Sequence, residues 1–478
     1  MAGFLYSLDV NIIVTAIPVM TTYFHTIRDI GWYGGAYLIT VCACTPVVGK
    51  LYQFYNAKIT FFIFVFTFEI GSLICAVAPS STAFVIGRAV AGIGGSGLFK
   101  TVAFVYVFAL LGSIIAPILG GVLTEKASWR WCFYINLPLG ALSLIMISFI
   151  RLPDQRQKPE EKPKLLAIIN RLDPIGFILF ASACVEILLA FQLGGSSYAW
   201  NSSTIIGLFV GFGATLVVFT FWESHRGDTA MIPLSMLGQR VVYSSCLTVV
   251  SQFGSLQVFA YFLPLWFQTI KGVDPILSGA YFMATAGPLI AATVITGILA
   301  SKLDSPALFA ILGNAIAATG GGLMTTFTPS TRTRIWAGYQ ILAGFGRGMT
   351  LQQPVNAVQR TLPPSTMSIG TSIVVFSQFL GSACGLAFAE TSFSSSLKSA
   401  LRRYAPGVNA ELVSELGAVG VRGAVAAEQL PGVLKAYNDA ITNTFYLGTA
   451  LSVFASLAAM GMFLKKSHRE KAAPSTEV

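Results

Sequence analysis

The sequence predicts an all-α integral membrane protein with about fourteen transmembrane helices. Of its 478 residues, 54% are hydrophobic and only 10% are charged, whereas soluble domains carry about 25% charged residues. Apolar runs of about 18–25 residues recur along the chain between short polar loops, each long enough to cross a core of about 30 Å. The runs lack the alternation and the shorter length of barrel strands, and backbone inside a bilayer must satisfy its own hydrogen bonds, so they are helices.

In order, the runs are 3–22, 32–49, 59–78, 82–99, 102–123, 132–150, 176–193, 204–222, 242–267, 276–300, 308–327, 335–353, 369–389 and 444–464. An even count puts both termini on one side. The net charge of +10 lies in loops, so it reads as the positive-inside rule and not as a nucleic-acid footprint. The basic stretch "RLPDQRQKPEEKPKLLAIINRLD" after the sixth run and the terminal "KKSHREK" place both termini in the cytoplasm. No basic n-region or cleavage site marks a signal peptide. The expected organisation is a bundle over 1–150, a basic linker over 151–172, two additional helices within 173–240, a second bundle over 241–464 and a tail over 465–478. An extracellular loop of amphipathic helix and turns is expected over 392–440. The sequon at Asn201 sits close to the membrane. The seven cysteines fall mostly inside apolar runs without metal spacing, and three histidines lie in loops or tail. No phosphate-binding GxxxxGK[ST] loop is present. Neither a cofactor nor an enzymatic activity is expected.

Intramembrane charges carry the chemistry. Eight residues precede Asp9 in the chain, which puts it about 12 Å deep at about 1.5 Å per residue. A carboxylate there is costly unless paired, protonated or hydrated, so it faces the bundle interior. Arg88 enters the fourth run from the outer side, Glu69 lies in the third, Glu186 in the seventh and Arg347 in the twelfth.

The stretches "SLDVNIIVTAIP", "GKLYQFYNAK", "GRAVAGIGGSG" and "APILGG" follow one another at the right runs, and "SWRWCFYINLPLG", "YFLPLWFQTIKGV" and "GFGRGMTLQQP" narrow the match. Together they resemble the major facilitator superfamily, in particular the fourteen-span drug:proton antiporters and their fungal toxin-exporting branch. The resemblance implies the major facilitator fold: two six-helix bundles around a central cavity, plus two extra central helices at the seventh and eighth runs. It implies proton-gradient-driven efflux of a small hydrophobic toxin, drug or secondary metabolite by a monomer, with the bilayer as the only other partner. The plasma membrane is the expected location, with the vacuolar membrane as the alternative. A facilitator importing a chelate or nutrient, and a transport-inactive, receptor-like relative, are the alternatives for function.

The family's motifs fall on Asp9 and Asn11 in the first helix and on Arg88, followed by Gly92, in the fourth. Asp9 and Arg88 are expected either to couple protons or to be a buried pair that sets helix packing. Glu69 is either a proton relay or fixed by a hydrogen bond. Glu186 and Arg347 depart from the family; either would tune the substrate, pair with another intramembrane charge or sit near a wet cavity. Gating and close packing are expected at Gly49, Lys50, Lys58, Gly92, Pro117, Gly120 and Gly121. The inner loop has Gln53 where the family's general pattern has an acid, which puts its charge latch in question. A pocket for apolar cargo needs aromatic and neutral polar groups; the candidates are Gln252, Gln257, Trp266, Gln268, Gln352, Gln353, Phe376 and Gln378. Two departures remain. The chain begins almost inside its first helix, without the leader usual in this branch. Helices four and five look abnormally short, with Lys100 nearly their whole connection and about twenty residues fewer than a normal helix–loop–helix needs.

Overall fold

The computed structural model describes residues 2–24, 30–98, 126–149, 173–194, 198–227, 230–273, 275–303, 305–406 and 428–463, with isolated positions in 112–124 and at 408, 425 and 426. The shortened connection at Lys100, most of the fifth run, Pro117, Gly121, the basic linker and the tail lie outside the described residues.

The described chain is helical in the expected order. The first half holds α1 (Ala2–Phe24), α2 (Ile30–Phe54), α3 (Ala57–Val77), α4 (Ser81–Leu98) and α5 (Asn136–Phe149), the last reached through a short turn at Trp131–Tyr134. The extra pair is α6 (Pro174–Leu193) and α7 (Ser203–Arg226). The second half holds α8 (Arg240–Trp266), α9 (Pro275–Leu303), α10 (Pro306–Met324), α11 (Thr333–Thr350), α12 (Gln353–Thr361), α13 (Pro364–Tyr404) and α14 (Leu430–Ala459). Among the described residues, ten helices are long and apolar enough to cross a membrane. Helices α1, α4 and α11 add 23, 18 and 18 residues.

Local chemistry explains the helix starts. Asn56 caps α3 by accepting from the Lys58 and Ile59 amides at 2.9 and 3.3 Å. Ser202 caps α7 through the Ile205 amide at 3.3 Å. Asp173 caps α6 with a positive φ of 53°, followed by Pro174 at the first helical position, where a missing amide costs nothing.

Within 392–440, the described residues are helical at both ends, each end continuous with a long helix. Helix α13 runs unbroken to Tyr404, 41 residues in all, or about 60 Å at about 1.5 Å per residue. The segment "SSSLKSALRRY" contains no Gly or Pro to stop it, and Arg402 and Arg403 suit the helix's negative end. Helix α14 already begins at Leu430, with Pro431 in its first turn.

The two halves repeat one packing device. In the first half, a Cβ on Gly71 would strike Ala91, and one on Gly94 would strike the backbone of Phe68 and Phe64. In the second, a Cβ on Gly320 would strike Ala343, and one on Gly346 would strike Ala317 and Gly313. Helices α3 and α4 thus meet as α10 and α11 do, backbone against backbone. The halves touch through α2 and α13, where Ser368 Oγ donates to the Gly49 carbonyl at 2.9 Å. The extra pair packs on itself and leans α6 against α2 and α13. Helix α7 presents Val210, Val217, Val218 and Phe221 outward, the face expected toward lipid.

Candidate functional site

The first half is organised around Asp9. Its carboxylate is fully buried, and the Arg88 guanidinium is 1% exposed. Arg88 Nη1 donates to Asp9 Oδ2 at 2.6 Å, and Asn136 Nδ2 donates to Oδ1 at 2.9 Å. Asn136 Nδ2 also reaches Ser72 Oγ at 3.2 Å. Arg88 Nε donates to the Tyr33 carbonyl at 2.9 Å, and the guanidinium lies 4.4 Å from the Tyr37 ring centroid. One centre therefore ties α1, α2, α3, α4 and the first residue of α5. Gly95 makes room for it, since a Cβ there would collide with the Tyr37 hydroxyl. Removing one partner from such a pair typically costs about 3–5 kcal/mol, because the other charge is left buried and uncompensated.

Glu69 lies one turn before Ser72 on α3 and packs over Gly140 of α5. Both its carboxylate oxygens are buried without a hydrogen-bond partner, so the expected fixed hydrogen bond is not formed. Its side chain stands one turn along both helices from the Ser72–Asn136 contact.

Lys50, at the inner end of α2, is 3% exposed. Asp173 and Glu223, at α6 and α7, are its acidic neighbours, with Arg226 beside them. Both acids are held in place. Asp173 accepts from the Gly176 amide at 3.1 Å, Trp222 Nε1 at 2.9 Å and the Met231 amide at 3.1 Å. Glu223 accepts from the Ile232 amide at 2.8 Å. Lys58 instead caps the end of α5, donating to the Ser148 carbonyl at 2.6 Å. Gly49 abuts Ser368 and Ser372 of α13, and Gly92 abuts Tyr37 and Thr40 of α2. Gly120 is buried, its carbonyl 3.9 Å from Cys132 Sγ.

The residues expected to meet cargo do not form one cluster. Asn11 lies in α1, and its side chain is outside the described set. Gln252 is buried with neither amide atom partnered, and Gln352 Nε2 and Gln353 Oε1, where α11 joins α12, are likewise unpartnered. Trp266 is scaffold: its indole donates to Asn438 at 2.9 Å, and Asn438 in turn donates to the Phe327 carbonyl at 2.9 Å. Phe376 stands edge-on against Phe180 of α6, with centroids 4.9 Å apart. Gln257 and Gln268 are half-buried and Gln378 is buried. Sequence reasoning passed over Asn136, Ser72 and Tyr37. Asn136 had a signal, an amide inside the apolar "YINLP"; Ser72 and Tyr37 had none.

A polytopic helical bundle with a buried ionic centre in one half defines the class: a membrane transport protein of two repeated halves. The model of the Major Facilitator Superfamily matches residues 1–102 and 100–386, and the chain belongs to that family. It is 43% identical to the MFS-type transporter pigP of Monascus ruber, over 96% of this chain and 84% of that one. It is 41% identical to the efflux pump mlcE of Penicillium citrinum, over 99% and 91%, and 42% identical to the efflux pump mokI of Monascus pilosus, over 96% and 89%. Among solved structures, the proton:xylose symporter XylE aligns over 95% of this chain and 92% of its own, with TM-score 0.58 and 14% identity. A bacterial homologue of the lysosomal transporter Spinster, in an inward-facing state, aligns over 98% and 97% with TM-score 0.58 and 14% identity. These structures speak for the fold alone. The family match divides at residues 100–102, where the sequence reads as shortened.

Proposed function

We propose that this transporter exports a small hydrophobic molecule, a toxin, drug or secondary metabolite, across the plasma membrane in exchange for protons, with both termini cytoplasmic. The observation that carries the reading is the buried Asp9 carboxylate shared between Arg88 and Asn136. A proton on Asp9 removes its charge from Arg88, so the bonds joining α1 to α4 weaken in one protonation state and tighten in the other. That gives the first half two arrangements for a proton to select, as alternating access requires. Glu69, unpartnered one turn away, is proposed as the relay between this centre and water. The fungal efflux pumps among the relatives support the direction. The Lys50–Asp173–Glu223 cluster and the Gly49–Ser368 contact are proposed as the inner gate. The group of unpartnered glutamines, Gln252, Gln352 and Gln353, is proposed as the polar part of the cargo surface. No cofactor is required beyond the proton gradient, and the working unit is proposed as a monomer.

The test is purified protein in liposomes with an imposed pH gradient and a fluorescent apolar cation as cargo. Dye movement that stops when the gradient is collapsed, and that is lost in Asp9→Asn, is expected. Equal movement with and without the gradient would remove proton coupling. A second reading, a ligand-binding relative without flux, draws on the divided family match at residues 100–102. It predicts saturable binding and no movement under any gradient.

A further inference from the structure

Arg347 is left unexplained by this scheme. It lies in the last turn of α11, just before the chain passes into α12. It is 5% exposed, and its Nε and Nη2 are buried with no hydrogen-bond partner. Its one described contact of note is the Phe259 ring, 4.2 Å from the guanidinium.

A cation–π contact is worth at most about 2 kcal/mol, whereas burying an uncompensated charge costs several. No carboxylate among the described residues closes that gap. Asp9 is paired with Arg88, Glu69 packs on Gly140, Glu186 meets Thr215, Asp173 and Glu223 lie beside Lys50, Glu390 is exposed and faces Tyr261, Asp439 meets Tyr404, and Glu428 precedes α14. Packing does not require the cation either. By the repeated glycine contacts, Gly94 corresponds to Gly346, so Arg347 stands where the first half has Gly95 and its neighbour, the Tyr37 hydroxyl. Phe259 is stacked on Phe445, with centroids 5.0 Å apart and planes at 16°, and is itself 1% exposed, so packed aromatic rings and no counter-charge back the guanidinium. Seven residues before Arg347, and so on the same face of α11, Gln340 spends its oxygen on Thr285 and leaves its Nε2 unpartnered.

We propose that Arg347 is the anion-binding element of the cargo site, and that the transported molecule is a hydrophobic organic acid whose carboxylate pairs with the guanidinium. The inference deepens the transport reading and rests on it.

The test uses full-length protein in nanodiscs, with 1-pyrenebutyrate as probe and 1-pyrenebutanol as its uncharged counterpart. Wild type is expected to bind the acid about tenfold or more tightly than the alcohol, the size of one charge-assisted hydrogen bond. Arg347→Gln is expected to lose that preference while keeping its affinity for the alcohol, and Arg347→Lys to keep part of it. Arg347→Gln should also melt no lower than wild type, because it relieves an uncompensated charge; a lower melting point would mean a structural cation. An unchanged acid preference in Arg347→Gln, or no binding of the acid to wild type, overturns the proposal. Gradient-driven movement of 1-pyrenebutyrate, above that of protein-free vesicles, is read in liposomes made from the same purified proteins. Intact flux without acid preference overturns the Arg347 site alone. Acid preference without gradient-driven flux overturns the transport reading alone.

Discussion

The two halves share a backbone design and differ in their chemistry. Gly94 against Phe68 and Gly346 against Ala317 are the same contact made twice. On that frame, Arg88 corresponds to Gln340. Arg88 stacks on Tyr37 and binds Asp9; Gln340 accepts a bond from Thr285. The Asp9–Asn136 bond between α1 and α5 has a neutral analogue in Ser255–Ser452, 2.7 Å apart, between α8 and α14. The first half therefore holds a paired anion and cation, and the second a neutral network and a lone cation. An ion pair can change state with one proton; a serine pair cannot. The difference teaches that the repeat supplies a common packing surface whose copies carry different buried charges; under the proposed function, energy coupling and cargo recognition are divided between them.

Four experiments bear on that contrast. The largest effect is expected at the ionic centre. Arg88→Gln should cost about 3–5 kcal/mol in detergent unfolding, since it strands Asp9. The double variant Asp9→Asn/Arg88→Gln should recover much of that stability and still carry no gradient-driven flux. Recovery of flux in the double variant would assign the pair to packing alone.

Next come the shared glycines. Gly94→Ala and Gly346→Ala should each cost about 1–3 kcal/mol by overpacking a helix crossing, and by similar amounts. A tolerant second half would break the equivalence. Smaller in stability, at about 1–2 kcal/mol for losing a charge-assisted contact, Lys50→Ala should leave Asp173 and Glu223 short of a cation. It should also raise gradient-independent dye leak in liposomes. Combining it with Glu223→Gln should reduce that leak; if it does not, the cluster is not a latch. The smallest effect is expected at Ser255→Ala, about 0.5–1.5 kcal/mol for one hydrogen bond, with gradient dependence unchanged. A loss of coupling there comparable to Asp9→Asn would end the division of labour between the halves.

Much of this was legible in the chain. Asp9 and Arg88 announce themselves because a charge in a long apolar run is expensive and must be answered, and the order of the motifs puts them on neighbouring helices. The glycine contacts were legible as small residues but not as a repeat, because equivalent positions share backbone geometry and little side-chain identity. Trp266 is fully buried against Asn438 and Phe376 half-buried against Phe180; aromatic residues fill cores and pockets alike, and the sequence does not say which faces which. The α13 extension to Tyr404 was hidden by polarity: a helix leaving the bilayer loses its apolar signal while keeping its hydrogen bonds.

The sequence by itself determined the solvent this protein lives in, its helical character, its family and the pair of charges at its heart, because the bilayer penalises every unpaired polar group one residue at a time. The tertiary structure alone decided who answers each charge. Asn136 and Ser72 complete Asp9, and Asp173 and Glu223 reach Lys50 from the extra helices. Arg347 is left over the Phe259 ring with no acid of its own among the described residues. Partnership across helices depends on crossing geometry, and that is set by backbone contacts between residues far apart in the chain.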